Sequence, residues 1–454
     1  MSLSRRSFLG WSLGIGAGLT AARLFGRAAH AADAPYTGPL LVTVHAGGGW
    51  DPIFLTDPKP SAELNRVSQA VGTVGRIRFS DHPVSAAAFG YDANYAAIYD
   101  ERLLSNRTFF TRHGARTTVF NGVDTRTNNH DTGTRYTWSG RSEVGNPAIG
   151  ALLAAMAGGI SDGQAKGPPL AFLSAGGYDN PGGLVPLSRA SSSSSMRKLM
   201  FPGAIDASKP DEAQFHSPTT TDAIARARAA RLEAQTGAAT LPAMRRALGE
   251  LAAARGSMGE LSALELPTLV DLPGNNLEDV QAVMQTTQLA MASMKAGLTL
   301  AASLSYGGFD THGNHDRDQV VRIAKLLGIV DHVLSEAAAQ GLSDRLYVAV
   351  GSDFGRGPFY NGTNANSGKD HWSTTSCLVI VPPARAAQYG DRVIGGTTDD
   401  VRARAIAPGS FAFDDQGVVP SPLAIHRGLR KLLGISGSAG AARFPLAEHA
   451  LEVF

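Results

Sequence analysis

The sequence predicts an α/β protein, a three-layer α/β/α sandwich built on a mainly parallel sheet. Two observations predict it. Apolar runs bounded by Gly, Asp or Asn recur near Leu40 to Val44, Thr117 to Asn121, Leu170 to Leu173, Leu298 to Ser305, Leu346 to Val350 and Cys377 to Val381. Most are continuous rather than alternating, as strands covered on both faces require. Helical stretches separate them at about Thr221 to Gln235, Pro242 to Arg255, Leu277 to Ala296 and Arg317 to Gln340. Strands that alternate with helices give a parallel sheet with helices on both faces.

The first element is an address rather than part of the fold. Ser4-Arg5-Arg6-Ser7-Phe8-Leu9 matches a twin-arginine export signal, followed by a mildly apolar stretch and the cleavage-type sequence Ala29-His30-Ala31. Residues 1–31 are therefore expected to be removed, which makes the twin-arginine export machinery a partner and the periplasm or the exterior the destination. The apolar run is shorter than the ~20 residues of a membrane span, so no permanent membrane span is expected. The formal charge of +2 loses Arg5, Arg6, Arg23 and Arg27 and no acid on cleavage, leaving −2. A near-neutral chain without a basic tract gives no sign of a nucleic-acid partner.

Residues 32–454 suffice for one large core domain. Within it, the segment at about 174–270 breaks the strand–helix rhythm with Gly/Pro loops, the run Ser191 to Ser195 and two Ala/Arg-rich helices. It reads as an insertion or cap, with the serine run as a flexible loop. The helix over Arg317 to Gln340 carries a broad apolar stripe that includes Val320, Ile323, Leu327, Val330 and Leu334. The single cysteine, Cys377, sits in an apolar run and is expected to be a small buried hydrophobe.

Four clusters stand where strands end: Asp51 in GGGWD, Asp310 and His312 in GGFDTHGNH, Asp353 in VGSDFGR, and His371 in GKDHW. Ligands of open α/β sheets bind beyond the carboxyl ends of the strands, so three strands would deliver their acids to one edge. Carboxylate oxygens mixed with imidazole nitrogens suit zinc, manganese or iron better than an all-oxygen calcium cage. A metal there would polarise a phosphoryl or sulfuryl oxygen, or lower the pKa of a bound water. Arg356, three residues beyond Asp353, is the expected clamp for the anion.

The twin-arginine signal, GGGWD, GGFDTH, SDFGR and DHW, in that order, resemble the bacterial family called domain of unknown function 1501, over nearly the whole chain after residue 31. That resemblance implies an alkaline phosphatase-like fold, shared with sulfatases and phosphodiesterases, and two metals about 4 Å apart. It implies that Asp51 and Asp353 serve one metal and that Asp310, His312 and His371 serve the other. Two departures stand out: Phe354 replaces a histidine usual after the acid, and the usual Asp-x-x-x-His spacing falls on Asn314, so His312 or His315 must substitute. For the nucleophile, the resemblance points to the segment Val123 to His130, with Thr127 first and Thr125 in reserve. His130 stands as a metal ligand, a proton donor or a packed core residue.

The expected cofactor is one or two divalent metal ions, zinc or manganese ahead of calcium or magnesium. The expected function is metal-dependent hydrolysis of a phosphate or sulfate ester, on a small anionic ester or an envelope polymer. The other expectation is a catalytically inactive, metal-stabilised binding or scaffold protein of the cell envelope.

Overall fold

The computed structural model describes residues 36–454, apart from 158–159, 162–163, 166–167, 169, 190–191, 257–260 and 262–263. The expected signal segment 1–31 lies outside the described residues, as does Ser191.

The labelled strands run β1 (Leu40–Gly47), β2 (Thr117–Asp124), β3 (Phe172–Ala175), β4 (Leu187–Arg189), β5 (Ala301–Gly307), β6 (Leu346–Ser352), β7 (Gly355–Tyr360), β8 (Lys369–Trp372), β9 (Thr374–Ile380) and β10 (Arg392–Gly395). Eight of them form one sheet in the order β10-β2-β9-β6-β1-β5-β3-β4, while β7 and β8 pair as a separate hairpin. Only β9 runs against its sheet neighbours; the other pairings are parallel. The expected mainly parallel sheet is therefore present.

The principal helices are α1 (His130–Ser139), α2 (Ile149–Ala154), α3 (Pro218–Ala238), α4 (Pro242–Gly256), α5 (Glu278–Lys295), α6 (His315–Ala339) and α7 (Pro422–Leu432). Side chains of β1 divide between two cores because a strand alternates its faces. Leu40, Val42, Val44 and Ala46 pack with Met284 and Met291 of α5 and Ile323 and Leu327 of α6. Leu41 packs with Trp138 of α1, Leu152 of α2 and Leu429 of α7. The result is the three-layer sandwich. Cys377 is buried, and burial pushes its thiol up to about 12. No described helix is long and apolar enough to cross a membrane.

The segment 174–270 is only partly separate from the sheet, since β4 forms its edge. Helix α3 buries no side chain. The serine run is a capped helix start rather than a flexible loop: Ser192 Oγ accepts the Ser195 N–H at 3.1 Å at the head of Ser193–Met200. Two edge strands, β4 and β10, escape the sequence reading because they are three or four residues long and partly exposed.

Register brings the chemistry to one edge. Gly47 pairs with Gly307, and Ala46 with Ser352, so β1, β5 and β6 end together. Antiparallel β9 starts at the same edge, where Thr374 pairs with Asp124 at the end of β2.

Two core imidazoles tie stability to pH. Burial pulls His82 and His332 from the ordinary 6.5 down to about 4. Both are neutral in the fold and protonate near pH 6.5 when unfolded, so their contribution is complete above pH 6.5 and is lost as pH falls toward 4. Each such shift is worth about 3 kcal/mol. Calorimetry of chelator-treated protein should show the melting temperature falling steadily from pH 6.5 to 4.5. A flat profile over that interval would contradict it.

Candidate metal centre

Asp310 is the hub of a histidine cluster at the carboxyl edge of the sheet. Its Oδ1 lies 3.0 Å from His371 Nε2 and 3.1 Å from His312 Nε2, and its Oδ2 lies 3.6 Å from His130 Nε2. His312 Nε2 and His371 Nε2 are 3.0 Å apart. His130, Asp310 and His371 each offer one donor atom within 4.8 Å of the others. Zinc about 2.0–2.1 Å from each donor in a tetrahedral site sets neighbouring donors about 3.3 Å apart.

The far side of each imidazole is held by an oxygen. His130 Nδ1 bonds Asp353 Oδ2, His371 Nδ1 donates to the Asn128 carbonyl at 2.9 Å, and His312 Nδ1 lies 3.3 Å from Asp370 Oδ1. A carbonyl or an ionised carboxylate only accepts, so the Nδ1 atoms carry protons, and in the neutral imidazole each Nε2 turns a lone pair toward Asp310. Metal-ligating histidines are oriented in this way by their outer-shell partners. Lone pairs converging on a carboxylate at these distances repel unless a cation sits among them. The donor set therefore fits a divalent ion of the zinc or manganese class.

Local structure explains each placement. Asn129 caps α1, its Oδ1 accepting the Thr132 N–H at 3.0 Å, so His130 opens the helix at the sheet edge. Gly133 brings α1 against β6: a Cβ there would lie 2.2 Å from the Asp353 carbonyl oxygen. Gly48 has φ +118°, and a Cβ on it would lie 2.4 Å from Asp310 N. Only glycine permits both that backbone and that approach. In the β7–β8 hairpin Arg356 pairs with His371.

Several expected roles change. Asp353 is buried, and its Oδ1 accepts from Gly49 N at 2.7 Å, Gly48 N at 3.1 Å and Ser352 Oγ at 2.9 Å. With Oδ2 on His130, it meets the cluster through that imidazole rather than as a member of it. Asp51 lies outside the cluster and is completely buried. Its Oδ2 accepts from Lys369 Nζ at 2.8 Å and faces His315 Nε2 at 3.0 Å, while its Oδ1 caps Ile53 N at 2.9 Å. Burial opposes ionisation of Asp51, but Lys369 and His315 outweigh it and hold the carboxyl below its usual range. Of the two candidate histidines, His312 joins Asp310 and His315 goes to Asp51.

Arg356 is corrected from substrate clamp to internal brace, because its side chain is fully buried. Nε donates to the Gly49 carbonyl at 2.8 Å, Nη1 to the Lys369 carbonyl at 3.1 Å, and Nη2 to the Gly48 carbonyl and to Asp310 Oδ1, the latter at 2.5 Å. Burial pushes Asp310 upward, yet the hydrogen bond and positive charge of Arg356 prevail and set it at about 2. Thr125 is buried, with its hydroxyl donating to the Ser373 carbonyl at 2.8 Å. Thr127 is half-buried and its Oγ1 accepts the Asn129 N–H at 3.1 Å.

Phe354, the departure from the pattern the resemblance implies, packs its ring 4.7 Å from that of His130 and 4.5 Å from that of His371. It forms an apolar wall behind two of the donors. Sequence reasoning missed Lys369 and Asp370, although both adjoin His371 in GKDHW. It also missed His45 of β1, whose Nδ1 accepts the Trp138 Nε1–H at 3.0 Å. Burial lowers the His45 pKa, and nothing in its apolar strand signals the partner on α1.

No curated protein matches this chain. Among solved structures, it is similar to the PsFucS1 sulfatase from Pseudoalteromonas sp., at 10% identity over 91% of this chain and 73% of that one, with a TM-score of 0.33. It is similar to alkaline phosphatase from the Antarctic bacterium TAB5, at 10% identity over 87% and 98% of the two chains, with a TM-score of 0.34. It is also similar to the lipoteichoic acid synthase LtaP from Listeria monocytogenes, at 8% identity over 88% and 73%, with a TM-score of 0.33. Residues 39–381 match the model of a family described as a protein of unknown function (DUF1501), and with most of its length matched the chain belongs to that family.

Proposed function

We propose that this chain is an exported metal-dependent hydrolase of phosphate or sulfate esters, with one divalent ion held by His130, Asp310, His312 and His371. The observation that carries the reading is the convergence of three imidazole Nε2 atoms on one carboxylate, each imidazole held from behind by an oxygen. A zinc or manganese ion held by these residues would supply Lewis acidity toward an ester oxygen and would make water more acidic. Asp353 keeps His130 in the tautomer whose Nε2 faces the centre. Arg356 balances part of the Asp310 charge and fixes its carboxylate. Phe354 excludes water from one side, which strengthens electrostatics at the centre. The amino end of α1, whose helix dipole favours negative charge, opens at His130 beside the donors. Thr127, on the loop leading into α1, is the hydroxyl assigned to the reacting ester.

The substrate is a small anionic ester or an ester group on an envelope polymer, and the site of action is periplasmic or secreted. To test this, the purified protein is loaded separately with Zn²⁺, Mn²⁺ and Ca²⁺ and offered an aryl phosphate, a phosphodiester and an aryl sulfate. Turnover of at least one ester with zinc or manganese, abolished in His371→Ala, is the expected result. Stoichiometric metal without turnover of any ester would favour instead a metal-stabilised binding protein of the envelope. The buried guanidinium of Arg356 gives that second reading its footing, since it leaves the substrate without the expected clamp.

A further inference from the structure

A basic pocket lies at the far end of α1 from the metal centre. Helix α7 packs beside α1 and carries Arg430 and Lys431 in its last turn, and these two with Arg427 line the pocket together with apolar Leu451 and Phe454. Helix α1 is ten residues and so about 15 Å long, with His130 at its other end. Arg141, just beyond α1, reaches the same place and donates to the Pro445 carbonyl at 2.6 Å.

The charges here are not balanced. Arg430 is only 6% exposed, yet its Nε has no hydrogen-bond partner. Its Nη1 donates to the Phe444 carbonyl at 2.7 Å, and Arg427 donates to the Ala447 carbonyl at 2.9 Å. These bonds tie down the chain after residue 443 but bring no negative charge. Among the described residues, no carboxylate pairs with Arg141, Arg427 or Arg430. Glu452, the one acidic side chain lining the pocket, pairs with Lys431 at 3.0 Å, and its charge also acts on Arg427. Burial, with Arg141 and Arg427 beside it, brings Arg430 down to about 10. A buried guanidinium with an open donor among like charges is costly to keep unless an anion joins it.

We propose that this pocket is an anion-binding site, separate from the metal centre, that takes a sulfate or phosphate group. Guanidinium forks match the paired oxygens of such groups, and the apolar Leu451 and Phe454 favour a group carried on a larger body over a bare ion. The site stands whether or not the metal centre is catalytic.

The test is calorimetric titration of the full chain, stripped of metal by chelator, at low ionic strength. The probes are sodium sulfate, sodium phosphate and a sulfated oligosaccharide. One saturable site is expected, weakened at least tenfold by Arg430→Met and by Arg427→Gln and unchanged by His371→Ala. The half-buried Arg427 keeps the test decisive if Arg430→Met does not fold. Tighter binding of the oligosaccharide identifies a polymer-borne group as the ligand, and equal binding identifies the free ion. The inference is overturned if none of the three probes saturates, if the arginine variants bind as the parent does, or if His371→Ala alone abolishes binding.

Discussion

His371→Ala should strip the protein of its metal, leaving far less than one ion per chain after dialysis, as read by elemental analysis. The expectation rests on His371 Nε2 standing 3.0 Å from both Asp310 Oδ1 and His312 Nε2, at the middle of the donor set. Loss of an outer-shell partner costs about 10–100-fold in affinity, and loss of a donor should exceed that range. Asp353→Asn supplies the comparison. If Asp353 acts by orienting His130, the variant should retain a metal site weakened by only about 10–100-fold. If Asp353 is itself a ligand, it should lose metal as completely as His371→Ala. Asp310→Ala is a poorer first choice because it would also leave the buried Arg356 without its one carboxylate. Unchanged metal content in His371→Ala would remove the basis of the proposed centre.

The largest effect on stability is expected from Lys369→Met. Lys369 and Asp51 are both fully buried, and the ammonium also donates to the Leu64 carbonyl at 2.6 Å. Removing one partner of such a pair leaves a buried charge uncompensated, at a cost of about 3–5 kcal/mol. His315 remains beside Asp51, but its imidazole is itself buried and its pKa is lowered by that burial. Denaturant unfolding should therefore shift by several kcal/mol in the single variant. The double variant Asp51→Asn with Lys369→Met should lose less than the two single changes added together, because the charge left behind is gone. A Lys369→Met protein within about 0.5 kcal/mol of the parent would mean that Asp51 has another counter-charge, and a metal would then return as its partner.

The correction at Asp51 shows why, of the one or two metals expected, only one is proposed. At the end of β1, an acid before a turn has the same local sequence whether it binds an ion or an ammonium. What separates the cases is Lys369, 318 residues away, whose buried ammonium pairs with it. The correction at Arg356 has the same origin. SDFGR reads as an arginine beyond an acid, but pairing in the β7–β8 hairpin turns the guanidinium inward under the Gly48–Gly49 turn. Phe354 was legible only as an absence in the sequence, and in the fold it is the wall behind His130 and His371.

By itself, the sequence determined the layer architecture and the common edge of β1, β5 and β6, while the family resemblance implied Asp310, His312 and His371 as one set. Continuous apolar runs and helical stripes are local consequences of strand and helix periodicity, and they need no knowledge of distant partners. Tertiary structure alone decided which acids are free to hold a cation. It sent Asp51 to Lys369 and His315, set Asp353 behind His130, and brought His371 to the Asn128 carbonyl across 243 residues of chain. Carboxylates and imidazoles are satisfied by whichever partners the packed core brings within about 3 Å, and that choice is made only when the strands are laid side by side.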